Sequence, residues 1–296
     1  MAVMVLLSLF ILHLSPLSAQ SYAGVSLAAH IPMVQDNSAL TRSRTAFGGE
    51  IGGVYEWHSG LFMLQTGLNY NLLCPSMRVE NTRLEQPMID TRGVPFLYCG
   101  ELKDRTDRMT LGQLTVPFSV GVAWKGWHLI AGLRLAVMLH ADAQIKASLQ
   151  TVGDYQGRYY DLFENMPNHG FHDFESVRSS HALTLNRVDV RLCAETGYTF
   201  ALSPFNPSRS PLLRIAAFAE YGLMSMRDPR LGSGAPAAVE PDYEHYMSLS
   251  MTHLYAAASG TRLSPHMLTF GLRIALLFPL PGSSSSHHCN CYGNYR

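Results

Sequence analysis

The chain has 296 residues, which is enough for one large β domain or two ordinary domains. Charged residues make up 15%, with 22 basic and 22 acidic side chains, so the chain is neutral and is not expected to bind nucleic acid. No uncharged apolar run of 18 residues follows the amino terminus, which argues against a multi-helix membrane protein.

The amino terminus reads "MAVMVLLSLFILHLSPLSAQ", with an apolar core from Val3 to Leu14 and a small-residue end at Ala19. This pattern is typical of a secretory signal peptide, although Lys and Arg are missing before the core and Leu17 stands where a small residue is preferred. A single transmembrane anchor is the alternative, but about twelve apolar residues are few for a membrane span. We therefore expect residues 1–19 to be a signal peptide.

Eight later segments alternate strictly between apolar and other side chains, which indicates β-strands because successive side chains point to opposite faces. In chain order they cover residues 21–31, 48–57, 61–72, 111–124, 127–139, 186–200, 212–223 and 266–278. The segment "NRVDVRLCAETGYTF" shows the pattern best. Its even positions from Val188 to Phe200 are mostly apolar, while Arg187, Asp189, Arg191 and Glu195 occupy odd positions.

The connections between these segments are sorted by length. "HSG" at 58–60, "KG" at 125–126 and the turn-rich 201–211 are the shorter ones. The alternate connections are long and span roughly 32–44, 73–110, 140–182 and 226–265. Short turns at one end, long loops at the other and an even strand count are typical of outer-membrane barrels.

We therefore predict an all-β fold, an eight-stranded antiparallel up-and-down transmembrane barrel with four long extracellular loops. The barrel would cover residues 20–280, and residues 281–296 would form a flexible periplasmic tail. Both termini would then be periplasmic, in the outer membrane of a Gram-negative bacterium. Aromatic side chains at the strand ends fit the girdles that such barrels place at the membrane interfaces.

The face opposite the apolar one supplies five acidic and five basic side chains to the inferred lumen. They are Glu50, Glu56, Arg134, Arg187, Asp189, Arg191, Glu195, Arg214, Glu220 and Arg273. A narrow eight-stranded barrel has room for side chains but not for a wide channel, so these charges should pair. A soluble lipocalin-like barrel is the alternative, but it would leave this set in water with no need for balance.

Short motifs resemble those of the small outer-membrane β-barrel family that includes PorT-like and OmpA-like barrels. They are "LTVPFSVGVAW" with its internal proline, "AEYGL" before a long loop, and the final "LTFGLRIALLFPLP" followed by "CNC". The resemblance covers roughly residues 21–291 and implies no shared catalytic site. Pro117 cannot donate a ladder hydrogen bond, so we expect a bulge around it.

An enzymatic function has weak support. His169, His172 and His181, with Asp173 and Glu175 nearby, could complete a triad or a metal site, but no GxSxG or HExxH motif accompanies them. A polar extracellular loop explains this segment better. We expect no catalytic residues and no cofactor.

The cysteines raise three further expectations. Cys74 and Cys99 share one long outer loop in an oxidising compartment, which makes them a possible disulfide. Cys193 would be a small buried residue. The tail "HHCNC" has spacing that could hold a soft metal, but one short cluster in a Ser-rich tail is weak evidence, and we expect no metal.

The sequence therefore predicts a non-enzymatic barrel with a structural or surface-interaction role through its long loops. Its expected partners are outer-membrane lipid and a protein that contacts the loops. Segments that mix tyrosine with acids, at 154–163 and 240–247, suit a recognition surface, although a loop that packs over the barrel mouth would have the same composition. A component of a transport or secretion machine is the alternative, which the PorT-like resemblance would allow, and a loop-borne hydrolase is a third possibility.

Overall fold

A computed structural model describes most of the chain from Gln20 to Leu280. The described residues are 20–35, 41–44, 46–79, 82–90, 92–155, 162–163, 171, 173–203, 210–226, 237–240, 248–251 and 265–280. The expected signal peptide at 1–19 and the tail at 281–296, with its His and Cys cluster, lie outside them. Within these ranges no helix has the length and apolar character that a membrane crossing requires.

Strands account for nearly all of the regular structure in these ranges. In chain order they are β1 (Gln20–Gln35), β2 (Thr41–Arg44), β3 (Gly48–Ser59), β4 (Phe62–Leu73), β5 (Ser76–Val79), β6 (Thr82–Ile89), β7 (Pro95–Trp124), β8 (Trp127–Asp154), β9 (Leu162–Phe163), β10 (Asp173–Ala182), β11 (Val188–Ala201), β12 (Leu212–Gly222), β13 (Ala237–Glu240), β14 (Ser248–Met251) and β15 (His266–Pro279).

Eight of these strands close into a barrel. Each pairs antiparallel with the next in the order β1, β3, β4, β7, β8, β11, β12 and β15, and β15 pairs back onto β1. The closing register places Ala23 opposite Phe278 and Gln35 opposite His266. The predicted eight-stranded antiparallel up-and-down barrel is confirmed.

One end of the barrel carries tight turns. Lys125 and Gly126 join β7 to β8, and both have positive φ, 49° and 87°, as the central residues of a type I′ hairpin turn require. Gly60, with φ of 59°, turns β3 into β4. The first barrel residue, Gln20, and the last strand residue, Pro279, also lie at this end.

At the other end β7 and β8 continue far beyond the barrel. They stay paired from Trp124 with Trp127 out to Leu97 with Asp154, and the register shifts at Gly112 and Gln113. The short strands β5 and β6 pair with β7, β2 pairs with β5, and β9 and β10 pair with β8. We call residues 95–111 of β7, 141–154 of β8 and these five short strands the extension. Much of the connections at 73–110 and 140–182 is therefore sheet.

The outside of the barrel is apolar on every strand. Large exposed side chains include Leu27, Ile51, Leu68, Phe118, Leu133, Leu192, Ile215 and Leu272, one from each barrel strand in chain order. Aromatic rings gather at the turn end, where Trp127 packs against Tyr198 at 5.4 Å between ring centroids and Tyr198 against Phe200 at 4.8 Å. An outward apolar band with an aromatic girdle is what a bilayer requires of a barrel.

Pro117 is accommodated without the bulge that we expected. Its side chain is buried on the lumen side, and it stays in register opposite Arg134 of β8. On the other edge the ladder to β4 pairs Thr66 with Phe118 and Asn69 with Thr115, and leaves the two intervening positions unpaired. Proline has no N–H to donate to a neighbouring strand. The interruption of the ladder to β4 therefore accommodates Pro117 without a bulge.

Candidate functional site

Side chains from five of the eight barrel strands meet in a buried charge cluster inside the barrel. Four arginines and four glutamates there are at most 7% exposed, and they are Arg134, Arg191, Arg214, Arg273, Glu50, Glu56, Glu195 and Glu220. Alternation along each strand turns these positions inward, since their neighbours of opposite parity form the apolar outer band. We call this set the lumen charge cluster.

Arg134 and Arg273 form the centre of the lumen charge cluster. Arg134 contacts Glu50, and its Nη1 lies 2.9 Å from Glu220 Oε1. Arg273 contacts Glu195, and its Nη2 lies 3.0 Å from Glu50 Oε1 and 3.9 Å from Glu220 Oε1. Each of the two guanidinium groups therefore contacts more than one carboxylate, and these contacts offset part of the cost of burying the charges.

Arg191 connects this centre to the part of the barrel nearer the extension. Its Nε donates to Asp189 Oδ2 at 2.7 Å, its Nη1 lies 3.7 Å from Glu220, and its Nη2 donates to Gln113. Asp189 is 14% exposed, so the cluster ends near it.

A second group of charges lies nearer the turn end. Arg214 donates through both terminal nitrogens to Glu56, with Nη2 at 2.6 Å from Oε2. His58 Nε2 lies 3.1 Å from the same carboxylate, and Gln65 donates to it at 3.3 Å. His128, at 3.4 Å from Glu195, is a further inward histidine that sequence reasoning did not place in the cluster.

One residue of the expected set lies elsewhere. The structure places Arg187 on the bend before β11, with an exposed side chain, and not in the lumen charge cluster. The alternation predicted that the Arg187 side chain points into the lumen, but this holds only if β11 begins at Asn186. The strand begins at Val188.

Apolar layers close the lumen above and below the charges. Toward the extension the layer comprises Val34, Leu73, Met77, Met109, Leu111, Ala143, Leu183, Leu185, Met226 and Met267. Toward the turn end it comprises Tyr22, Val54, Ala275 and Leu277, with Leu212 packed against them. Sequence reasoning missed both layers. The signal was available, because the inward positions of β1, β4 and β15 change from polar to apolar as each strand leaves the charge cluster.

The lumen is therefore filled. Two cavities lined by Arg134 and Arg273 measure about 10 Å³ each, which is the size of one water molecule. The charges inside are paired, buried and covered at both ends. Among the described residues, the charges inside the barrel therefore contact one another.

The expected disulfide is not formed. Cys74 follows Leu73, which pairs with Leu111 of β7, whereas Cys99 lies 12 residues before Leu111 on the same strand. At about 3.3 Å per residue the two cysteines are separated by roughly 40 Å of extended chain, far beyond the ~7 Å that a bridge spans. Cys193 has its Sγ 3.5 Å from Ser119 Oγ inside the barrel.

Only part of the histidine-rich segment lies within the described residues. His169 and His172 fall outside the described residues, as do much of 154–163 and of 240–247. Asp173 begins β10 with an exposed side chain, and Glu175 and His181 belong to that strand. In the part of the chain that the structure describes, no three His, Cys, Asp or Glu residues are grouped to hold a metal ion.

The extension has a buried inner face. Arg105 and Asp107 form a fully buried pair, with Nε 2.7 Å from Oδ1 and Nη2 2.8 Å from Oδ2. Further out, Phe171 packs against Phe96 and Tyr98, each at 5.9 Å between ring centroids, and burial raises the pKa of the Tyr98 hydroxyl. The extension is thus a packed structure, and its opposite face is exposed.

Together the closed ring, the apolar outer band and the filled polar interior define a β-barrel of the outer-membrane type. No family model and no curated protein matches the chain. Among solved structures the chain is similar to Ail, the attachment invasion locus protein of Yersinia pestis, in complex with the heparin analogue sucrose octasulfate. The identity is 10%, the match covers 88% of this chain and 99% of that one, and the TM-score is 0.28. It is also similar to OpdQ of Pseudomonas aeruginosa at 10% identity, with 88% and 98% covered and a TM-score of 0.11. At these scores neither likeness bears on function.

Proposed function

We propose that this protein is a non-enzymatic outer-membrane barrel that presents the extension outside the cell as a binding surface. The observation that carries the proposal is the contrast between a closed lumen and an extension built from strands. β7 and β8 have 30 and 28 residues, although about 9–11 are enough to cross a membrane. The additional length forms a sheet outside the bilayer.

The filled lumen supports this proposal over a transport function. Solutes would have to cross two apolar layers and a set of paired charges, and the cavities between them hold about one water each. We expect the purified barrel to give only small or rare conductance steps in planar bilayers. Steady, large currents from the monomer would favour the transport alternative.

The orientation is tested with epitope tags in two turns. A tag after Arg92, in the turn between β6 and β7, is expected to be labelled on intact cells, and a tag after Lys125 only after permeabilisation. The reverse labelling would place the extension in the periplasm and contradict the proposal.

The function is tested with a barrel-only variant, in which short turns replace residues 76–108 and 142–182. Cells that produce equal amounts of full-length and barrel-only protein are compared for attachment to surfaces coated with glycans or with matrix proteins. We expect attachment to depend on the extension. Equal attachment by both variants contradicts the proposal, and heat-dependent gel mobility confirms that the shortened barrel has folded.

A further inference from the structure

The outward face of the extension carries two rows of side chains that cross five strands. The first row runs from Arg178 on β10 through Lys146, Thr106 and Arg78 to Arg42 on β2. Residues directly opposite in antiparallel strands lie on the same face. This row therefore places four cationic side chains on one side of the sheet.

The neighbouring row is also basic. It runs from Ser180 through Gln144, Arg108 and Ser76 to Arg44. With adjacent strands about 4.8 Å apart, each row spans about 19 Å. The six cations of the two rows are Arg42, Arg44, Arg78, Arg108, Lys146 and Arg178, and all six are exposed.

Part of each row lines a cleft of about 710 Å³, whereas Arg42 and Arg78 lie outside its lining. Arg44 from one edge of the sheet and Arg178 from the other both line it, together with Arg108 and Lys146. Asp104 is an acid in the lining and pairs with Arg78 at 3.1 Å. Within the part of the chain that the structure describes, Arg44, Arg108, Lys146 and Arg178 form no ion pair. The cleft is therefore basic in excess, unlike the balanced lumen.

The height of the cleft above the membrane limits what it can bind. Leu139 is the last large exposed apolar side chain among those of β8 whose burial the structure describes, and Lys146 follows it by seven residues. At about 3.3 Å per residue and a tilt of about 40°, Lys146 lies roughly 18 Å above the hydrocarbon. The headgroup layer of one leaflet is only about 5–8 Å thick. Lipid headgroups therefore lie below the cleft.

We propose that this cleft binds an extended anionic glycan that carries sulfate or phosphate groups and lies across the strands. Guanidinium groups bind such oxyanions through paired hydrogen bonds, and the two rows repeat cations over a length that suits several sugar units. The inference rests on the proposed function, since it names the partner of the exposed extension.

The test uses the full chain in nanodiscs of zwitterionic phosphatidylcholine and a sulfated heparin-derived hexasaccharide as the probe, measured by calorimetry. The variant Arg108→Gln/Lys146→Gln/Arg178→Gln is expected to bind at least tenfold more weakly. In a plot of log affinity against log salt concentration, the slope for this variant should be shallower by about three. The reason is that each cation that contacts an anion releases about one counterion on binding.

The matched control removes three positive charges elsewhere, with Arg92→Gln/Lys125→Gln/Arg187→Gln. It is expected to bind the probe within twofold of the unmodified protein, because these side chains lie outside the cleft. An unsulfated, carboxylate-bearing hexasaccharide should bind more weakly. Equal losses in the two triple variants would show a general charge effect and overturn the assignment of the site.

Two outcomes separate this inference from the proposed function. If the unmodified protein does not bind the probe, yet attachment of cells still depends on the extension, the glycan inference fails and the proposed function stands. If anionic phosphatidylglycerol in the nanodisc competes with the probe only when the cleft is intact, the cleft binds lipid headgroups and the glycan is not its partner.

Discussion

The lumen and the outward face of the extension both contain clustered arginines, but these arginines have opposite environments. In the lumen Arg134, Arg273 and their neighbours are buried and each contacts a glutamate. On the extension Arg108 and Arg178 are exposed and have no ion-pair partner among the described residues. Balanced, buried charge maintains a structure, whereas unbalanced, exposed charge is available to a partner.

The largest expected effect follows from breaking the lumen charge cluster at its centre. Arg134→Ala leaves Glu50 and Glu220 with fewer counter-charges in a closed interior, so we expect a loss of about 3–5 kcal/mol in the free energy of unfolding. Urea unfolding in lipid vesicles measures it. Adding Glu220→Gln should recover part of the loss, and a neutral effect of Arg134→Ala would contradict the buried cluster.

A charge on the outside of the barrel should have a similar cost for a different reason. Leu192→Arg places a guanidinium in the hydrocarbon. We expect it to lower the free energy of unfolding by about 2–4 kcal/mol if the residue lies near the midplane. Because no lumen acid faces that side, Glu220→Gln should not restore its stability. The same unfolding measurement would refute the membrane assignment if this variant proved as stable as the unmodified protein.

The apolar layer toward the extension gives a smaller effect. Leu111 is fully buried in that layer, so Leu111→Ala should lower the free energy of unfolding by about 2 kcal/mol through lost contacts. Ile89→Ala serves as the control, because this exposed side chain of β6 lies in the extension and outside the bilayer, and it should change stability far less. Similar losses for the two variants would mean that this layer is not packed.

The smallest effect is expected from the basic cleft. Arg178→Gln or Lys146→Gln should each change the free energy of unfolding by less than about 0.5 kcal/mol, since both side chains are exposed and form no ion pair with another described residue. A loss comparable to that of Arg134→Ala would show that the extension needs these charges for its own packing. The contrast between lumen and cleft would then fail.

Alternation was enough to predict the barrel, because each of its strands has lipid on one side and a polar interior on the other. It failed for the extension. Beyond Leu111 the inward positions of β7 include the buried pair Arg105 and Asp107, while the outward position Arg108 faces water. Both faces are then polar in sequence, so the strand resembles a loop.

Pairings across the barrel were also beyond sequence reasoning. The sequence identifies Arg134 and Glu220 as inward-facing, but their 2.9 Å contact depends on the stagger of strands around the ring. The same absence of three-dimensional information made Cys74 and Cys99 look like neighbours, although β7 carries Cys99 far from the barrel rim.

The long pairing of β7 with β8, from the turn end of the barrel to the outer end of the extension, also has a mechanical consequence. A pull on the outer end of the extension acts along the two strands, so it loads the hydrogen bonds between them in parallel and not one at a time. We expect the extension to resist force better than a loop of equal length, with detachment governed by the rate of unfolding. Force spectroscopy from a handle after Arg92 would measure this resistance, and a weak, gradual extension of the chain would contradict it. The sheet that presents the cleft would thus also serve as its tether to the membrane.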